Sequence, residues 1–112
     1  MTDHFSAGIV LFNAKLFFEA HEEWEILWLK SEGKEKLFLQ GLIQLAAAFH
    51  HFQSNNSKGA QSLLKEGEIK IQNFGESHHG LNLKALHATI TAWKRFFQNT
   101  TQGAESPSFP QL

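Results

Sequence analysis

The side chains best suited to chemistry lie in the stretch FFEAHEEWEILW, residues 17–28. His21 and Glu25 stand four positions apart there, among Phe17, Phe18, Trp24 and Trp28. On a helix that spacing puts an imidazole and a carboxylate one turn apart, where they can touch or converge on one point. Such a pair could be a structural ion pair, share in a divalent-metal site, or move a proton. Glu22 is the nearest candidate for a general base, which makes hydrolysis one expectation. The segment HEEWE departs from the zinc-protease motif HExxH, because Glu25 stands where the second histidine belongs. Nor does it supply the Glu-x-x-His pairs of di-iron bundles.

The elements that carry these residues can be laid on helical wheels. With Phe17 at zero, Leu16, Ala20, Trp24, Leu27 and Trp28 fall in an arc from about −100° to +20°. Phe18 and Leu29 return at about +100° to +120°, leaving His21 and Glu25 between the two apolar groups. The pair is therefore expected to be partly buried, with Glu25 turned inward and Trp28 walling the cluster. A second helix offers the complement. From Leu37 to Asn56 no Asp, Glu, Lys or Arg occurs, which marks a central, buried helix. Its polar exceptions Gln40, Gln44 and His51 fall within about 40° of one another, with His50 pointing elsewhere. Facing that row towards the first helix would partner its amides and imidazole, since an unpaired buried polar group costs about 1–3 kcal/mol. His21, Glu25 and His51 would then give two nitrogens and one carboxylate, a set that suits zinc, or iron or manganese with added waters. Gln40, Gln44 and Trp28 would stand around it. The competing expectation is a closed structural network of the same residues.

Five helical segments and no convincing strand can be read along the chain. Residues 3–12 follow a possible Asp3 cap, 14–30 carry the motif, and 35–53 form the apolar helix. A fourth helix follows the SNNS turn at 54–57, and a fifth starts behind Asn82. Residues 75–80 read as a loop exposing His78 and His79. Short connections favour antiparallel neighbours, so the expected fold is all-α, a compact bundle of about five helices built from antiparallel helical hairpins. One helical domain is expected over 1–98, with 99–112 a flexible tail on composition. Gly8, Phe12, Ala20 and Trp24 are echoed forty residues later by Ala48, Phe52, Ala60 and Leu64. That echo looks like the hairpin of tetratricopeptide-type repeats and admits a non-enzymatic interaction module.

Composition removes several function classes. The net charge is −1, and nine of the ten basic residues are scattered lysines, so neither nucleic acid nor an anionic membrane is an expected partner. There is no cysteine, hence no disulfide, thiol catalysis or Cys-type zinc site. Eleven Phe and three Trp with no Tyr point to a core packed with rings that carry no hydroxyl. With neither a signal peptide nor an apolar span in view, a cytoplasmic protein is expected. Its expected partners are a small-molecule ligand, a second copy of the chain or another protein.

The segments LFNAKLFFEAHEEWEILW and FLQGLIQLAAAFHH, a Gly-Ala helix start and the GLN at 80–82 together resemble the DUF309 family, small helical proteins of bacteria and archaea. The hallmark of that family is a histidine, a glutamate four later and an aromatic three beyond, matched here by His21, Glu25 and Trp28. The resemblance implies an all-α fold and a hallmark that has been suggested to bind metal. It implies no established reaction or substrate.

Overall fold

The Asp3 carboxylate accepts a hydrogen bond from the Ser6 N–H at 2.7 Å and so opens the first helix, α1 (His4–Asn13). This is a computed structural model, describing residues 3–99 and 105–112. Lys15, in the left-handed region at φ 66°, turns the chain into α2 (Phe17–Lys30). Then follow α3 (Gly33–Gln53) and α4 (Ser57–Ile71), the latter capped by Asn56 accepting from the Gly59 N–H. A 3₁₀ turn at Gln72–Phe74 leads into a small hairpin, β1 (Ser77–His78) and β2 (Leu81–Asn82). Asn82 accepts from the Ala85 N–H and starts α5 (Leu83–Gln98).

Side-chain contacts fix how the helices run. Gly8 meets Trp24 and Phe12 meets Phe17, so α1 and α2 are antiparallel. Phe18 meets His50 and Lys36 lies over Trp28, which makes α2 and α3 antiparallel as well. Gln44 donates to Glu66 and Lys94 donates to Glu68, extending the same alternation through α4 and α5. The fold is an all-α bundle of antiparallel hairpins, as the periodicity predicts. Helix α3 is its centre, packed between α2 and α4. Phe38, Leu42, Leu45 and Phe49 on that helix are fully buried, together with Trp24 and Trp93. Two glycines set close approaches. A Cβ on Gly8 would lie within 2.5 Å of the Trp24 ring, and one on Gly67 would lie 3.0 Å from the Gly41 carbonyl oxygen. None of the described helices is long and apolar enough to cross a membrane.

Two expectations are corrected. The stretch expected as a loop at 75–80 is part of an antiparallel ladder over 77–82, Ser77 opposite Asn82 and His78 opposite Leu81. Its turn residues His79 and Gly80 both have positive φ, 50° and 77°, as a two-residue hairpin requires. The second concerns the tail: residues 105–112 lie on the core instead of trailing from it. Phe109 packs against Phe17, Phe49 and Trp93, and the Trp93 Nε1–H donates to the Ser108 carbonyl at 3.0 Å. Asn13 grips both backbone groups of Leu112, accepting from its N–H at 2.7 Å and donating to its carbonyl at 3.0 Å. Thr, Gln, Ser and Pro make up most of residues 99–112, but one ring and one backbone clasp decide where 105–112 lie. Residues 100–104 of that stretch lie outside the described residues.

Candidate functional site

The core arc of α2 is narrower than the wheel suggests. Only Phe17, Ala20 and Trp24 are buried, whereas Phe18 and Leu29 are 46% and 73% exposed. The polar pair therefore sits at the edge of the core and not between two buried groups. His21 Nε2 lies 2.9 Å from Glu25 Oε1, with the two side chains 24% and 50% exposed. Glu25 does not turn inward, because the apolar group expected beyond it faces solvent. Glu22 is fully on the exposed side.

The other ring nitrogen is different. His21 Nδ1 is buried and has no hydrogen-bond partner among the described residues, and the same holds for Trp28 Nε1 and Gln44 Oε1. His21 and Trp28 are seven residues apart, two turns along one face of α2. Phe18 beside His50 and Trp28 beside Lys36 fix the register that brings His21 alongside the middle of α3, where Gln44 lies. The Gln44 Nε2 donates to Glu66 at 3.1 Å, which leaves its Oε1 as an acceptor. The Lys36 ammonium stands 4.3 Å from the Trp28 ring centroid. Half-buried Gln40 lies one turn before Gln44.

His51 does not join this group. Its Nδ1 is paired with the Asn56 side chain at 3.1 Å, at the end of α3. The ring that does reach towards α2 is His50, which packs on Phe18, itself stacked on His21. The two histidines are neighbours in sequence but about 100° apart on the helix. Of the two, packing turns His50 towards α2. The set His21, Glu25 and His51 is therefore not assembled as a three-ligand centre.

A second constellation was hidden from sequence reasoning. Among the described residues, Glu35, His78 and His79 are the histidine and carboxylate side chains whose ligand atoms gather in a group of three, all within 4.8 Å. His78 Nε2 lies 3.2 Å from Glu35 Oε1 and His79 Nε2 lies 2.5 Å from Glu35 Oε2. Partial burial raises the Glu35 carboxyl, but the hydrogen bonds and charges of His79 and His78 outweigh it and hold the group below its ordinary value. Both histidines, expected to be exposed with a small chance of lending ligands from the bundle end, are tied to the first turn of α3 while His79 stays exposed. The available signal was Gly80 after two histidines, a possible tight-turn residue; the partner Glu35 lies over forty residues away and could not be read.

A domain-family model described as "Domain of unknown function (DUF309)" matches residues 5–63, just over half of the chain. The chain belongs to the DUF309 family. The matched region holds α1, α2, α3 and the start of α4, and with them His21, Glu25, Trp28, Gln40, Gln44 and His51. The hairpin with His78 and His79 lies beyond the DUF309 match. No curated protein matches the chain.

Proposed function

We propose that the α2–α3 face around His21 binds a small polar molecule. The observation that carries this reading is the trio of buried polar atoms without hydrogen-bond partners among the described residues, His21 Nδ1, Trp28 Nε1 and Gln44 Oε1. Each such atom costs about 1–3 kcal/mol if nothing satisfies it, so each calls for a partner such as water or a ligand. Their chemistry is complementary. With its proton on Nε2, 2.9 Å from Glu25 Oε1, His21 presents a lone pair at Nδ1. Gln44 presents a second acceptor, and the Trp28 indole a donor backed by the Lys36 charge. The matching ligand carries a carboxylate or carbonyl for Trp28, and a hydroxyl or amino donor for His21 and Gln44. Amino acids and hydroxy acids have that pattern.

A divalent zinc, iron or manganese ion at this place would take His21 Nδ1, with Glu25 as the carboxylate that orients the ring from behind. It would then have only a glutamine oxygen as a further nearby ligand, since His51 is engaged by Asn56. Stable sites of these metals use three or four strong donors, so an organic ligand fits better. Exposed Glu22 is poorly placed to act as a base on a molecule held at His21 Nδ1, which weighs against hydrolysis.

The test is a titration of ¹⁵N-labelled protein with single amino acids and hydroxy acids. The Trp28 indole N–H resonance should shift with at least one of them, while Trp24 and Trp93 stay fixed, because their indoles already donate to the carbonyls of Phe5 and Ser108. His21→Ala should abolish the shift. Silence at Trp28 throughout the series, or a response that survives His21→Ala, would sink the reading.

A further inference from the structure

We propose that Glu35, His78 and His79 form a divalent-metal site of the zinc class, opening onto a cleft between α1, α2 and α3. It is separate from the His21 face and does not depend on it. Successive residues of a strand point to opposite sides, so adjacent histidines ordinarily cannot serve one ion. Here the left-handed backbone at His79 breaks that alternation. It swings the second ring round beside the first, with centroids 4.4 Å apart, and both Nε2 atoms address one carboxylate. The hairpin turn therefore creates a convergence that no extended segment would give.

The spacing is that of a ligand set. Ligands held about 2.0–2.1 Å from a tetrahedral ion lie roughly 3.3 Å apart. The His78–Glu35 separation is already 3.2 Å, and all three ligand atoms lie within 4.8 Å. Small side-chain shifts suffice to seat an ion. The surroundings hold the rings in place: Phe38 and Phe74 pack on His78, and Phe5 and Phe38 pack on His79. Two imidazoles and one carboxylate are the donor set of open, three-ligand zinc sites, which keep a position for water or another molecule. Such a position has space here. Glu35 and His79 border a cleft of about 420 Å³, with Asp3 as a further carboxylate and Phe5, Leu27 and Leu39 as an apolar wall. That volume falls within the range of small-molecule sites. To bind the ion, both imidazoles carry their protons on Nδ1 and offer lone pairs at Nε2.

The experiment is a Zn²⁺ titration of the full chain, stripped with chelator, followed calorimetrically and repeated with Co²⁺ for its absorption spectrum. One equivalent should bind, with the intense visible bands of a low-coordinate cobalt site. His79→Asn keeps a residue that tolerates the left-handed turn and removes the imidazole; His78→Gln and Glu35→Gln keep volume. Each should weaken Zn²⁺ binding by at least about 100-fold, above the usual loss for an outer-shell change. Unchanged circular dichroism in these variants would show that the fold persists, and His21→Ala should bind Zn²⁺ like the parent. The proposal is overturned by no saturable Zn²⁺ uptake, by parental affinity in both His79→Asn and His78→Gln, or by loss of uptake in His21→Ala alone.

Discussion

A carboxylate that accepts from one nitrogen of an imidazole decides the state of the other. Glu25 stands in that position for His21: its Oε1 lies 2.9 Å from Nε2, and a proton held on that nitrogen leaves Nδ1 as a lone pair in a buried place. Its value to stability is small, because half-exposed pairs one turn apart contribute less than about 1 kcal/mol. Glu25→Ala should accordingly shift the urea midpoint by no more than that, while the ring ¹⁵N resonances of His21 change markedly. A large loss of stability would mean that the pair is chiefly structural. Asp3 offers a pH-dependent case. The Ser6 backbone and hydroxyl bonds hold its carboxyl below the ordinary value of 3.8. A depressed carboxyl stabilises the fold above its unfolded value, and that contribution disappears as pH falls through the folded one. Amide exchange at the start of α1 should therefore accelerate below about pH 4, relative to the bundle core. Asp3→Asn, which still caps but does not titrate, should lack that step. At this scale the His21–Glu25 contact was legible because both residues lie on one helix. Which of His50 and His51 turns to α2 was not, because packing between helices settles it.

The helices themselves were written in the spacing of apolar residues and in three caps, Asp3, Asn56 and Asn82, each of which accepts a backbone N–H as such residues do. Less legible was the hairpin, whose ladder has only two residue pairs and no alternating pattern to announce it. It depends on Gly80, on the left-handed turn and on anchoring to Glu35. Between helices, the sharpest constraint is the contact of α1 with α2. The Trp24 ring fills the space at Gly8, and its indole N–H donates to the Phe5 carbonyl at 3.2 Å. Gly8→Ala drives a methyl into that ring, so α1 must lift. A destabilisation of about 2–3 kcal/mol is expected by chemical unfolding, in line with overpacked cores. A neutral result would show that α1 slides freely over α2.

At the scale of the whole molecule, the aromatic composition finds its explanation in one ring cluster. Phe17, Phe49, Phe52 and Trp93 come from three helices, and Phe109 from the closing segment fills the space among them. Phe109→Ala should cost about 3 kcal/mol, near the lower end for a phenylalanine in a core because this one is half-buried. A fall in melting temperature of more than about 10 °C would accompany it. A fall of only a degree or two would mean that the segment rests on the bundle without supporting it. The Asn13–Leu112 clasp also has a kinetic side. It joins groups 99 positions apart, whereas the helical hairpins close over a few tens of residues. Long loops are entropically the slowest to close, so the hairpins form first and the clasp shuts last. By the same logic the two Asn13–Leu112 hydrogen bonds are expected to open before the Phe109 ring leaves the core.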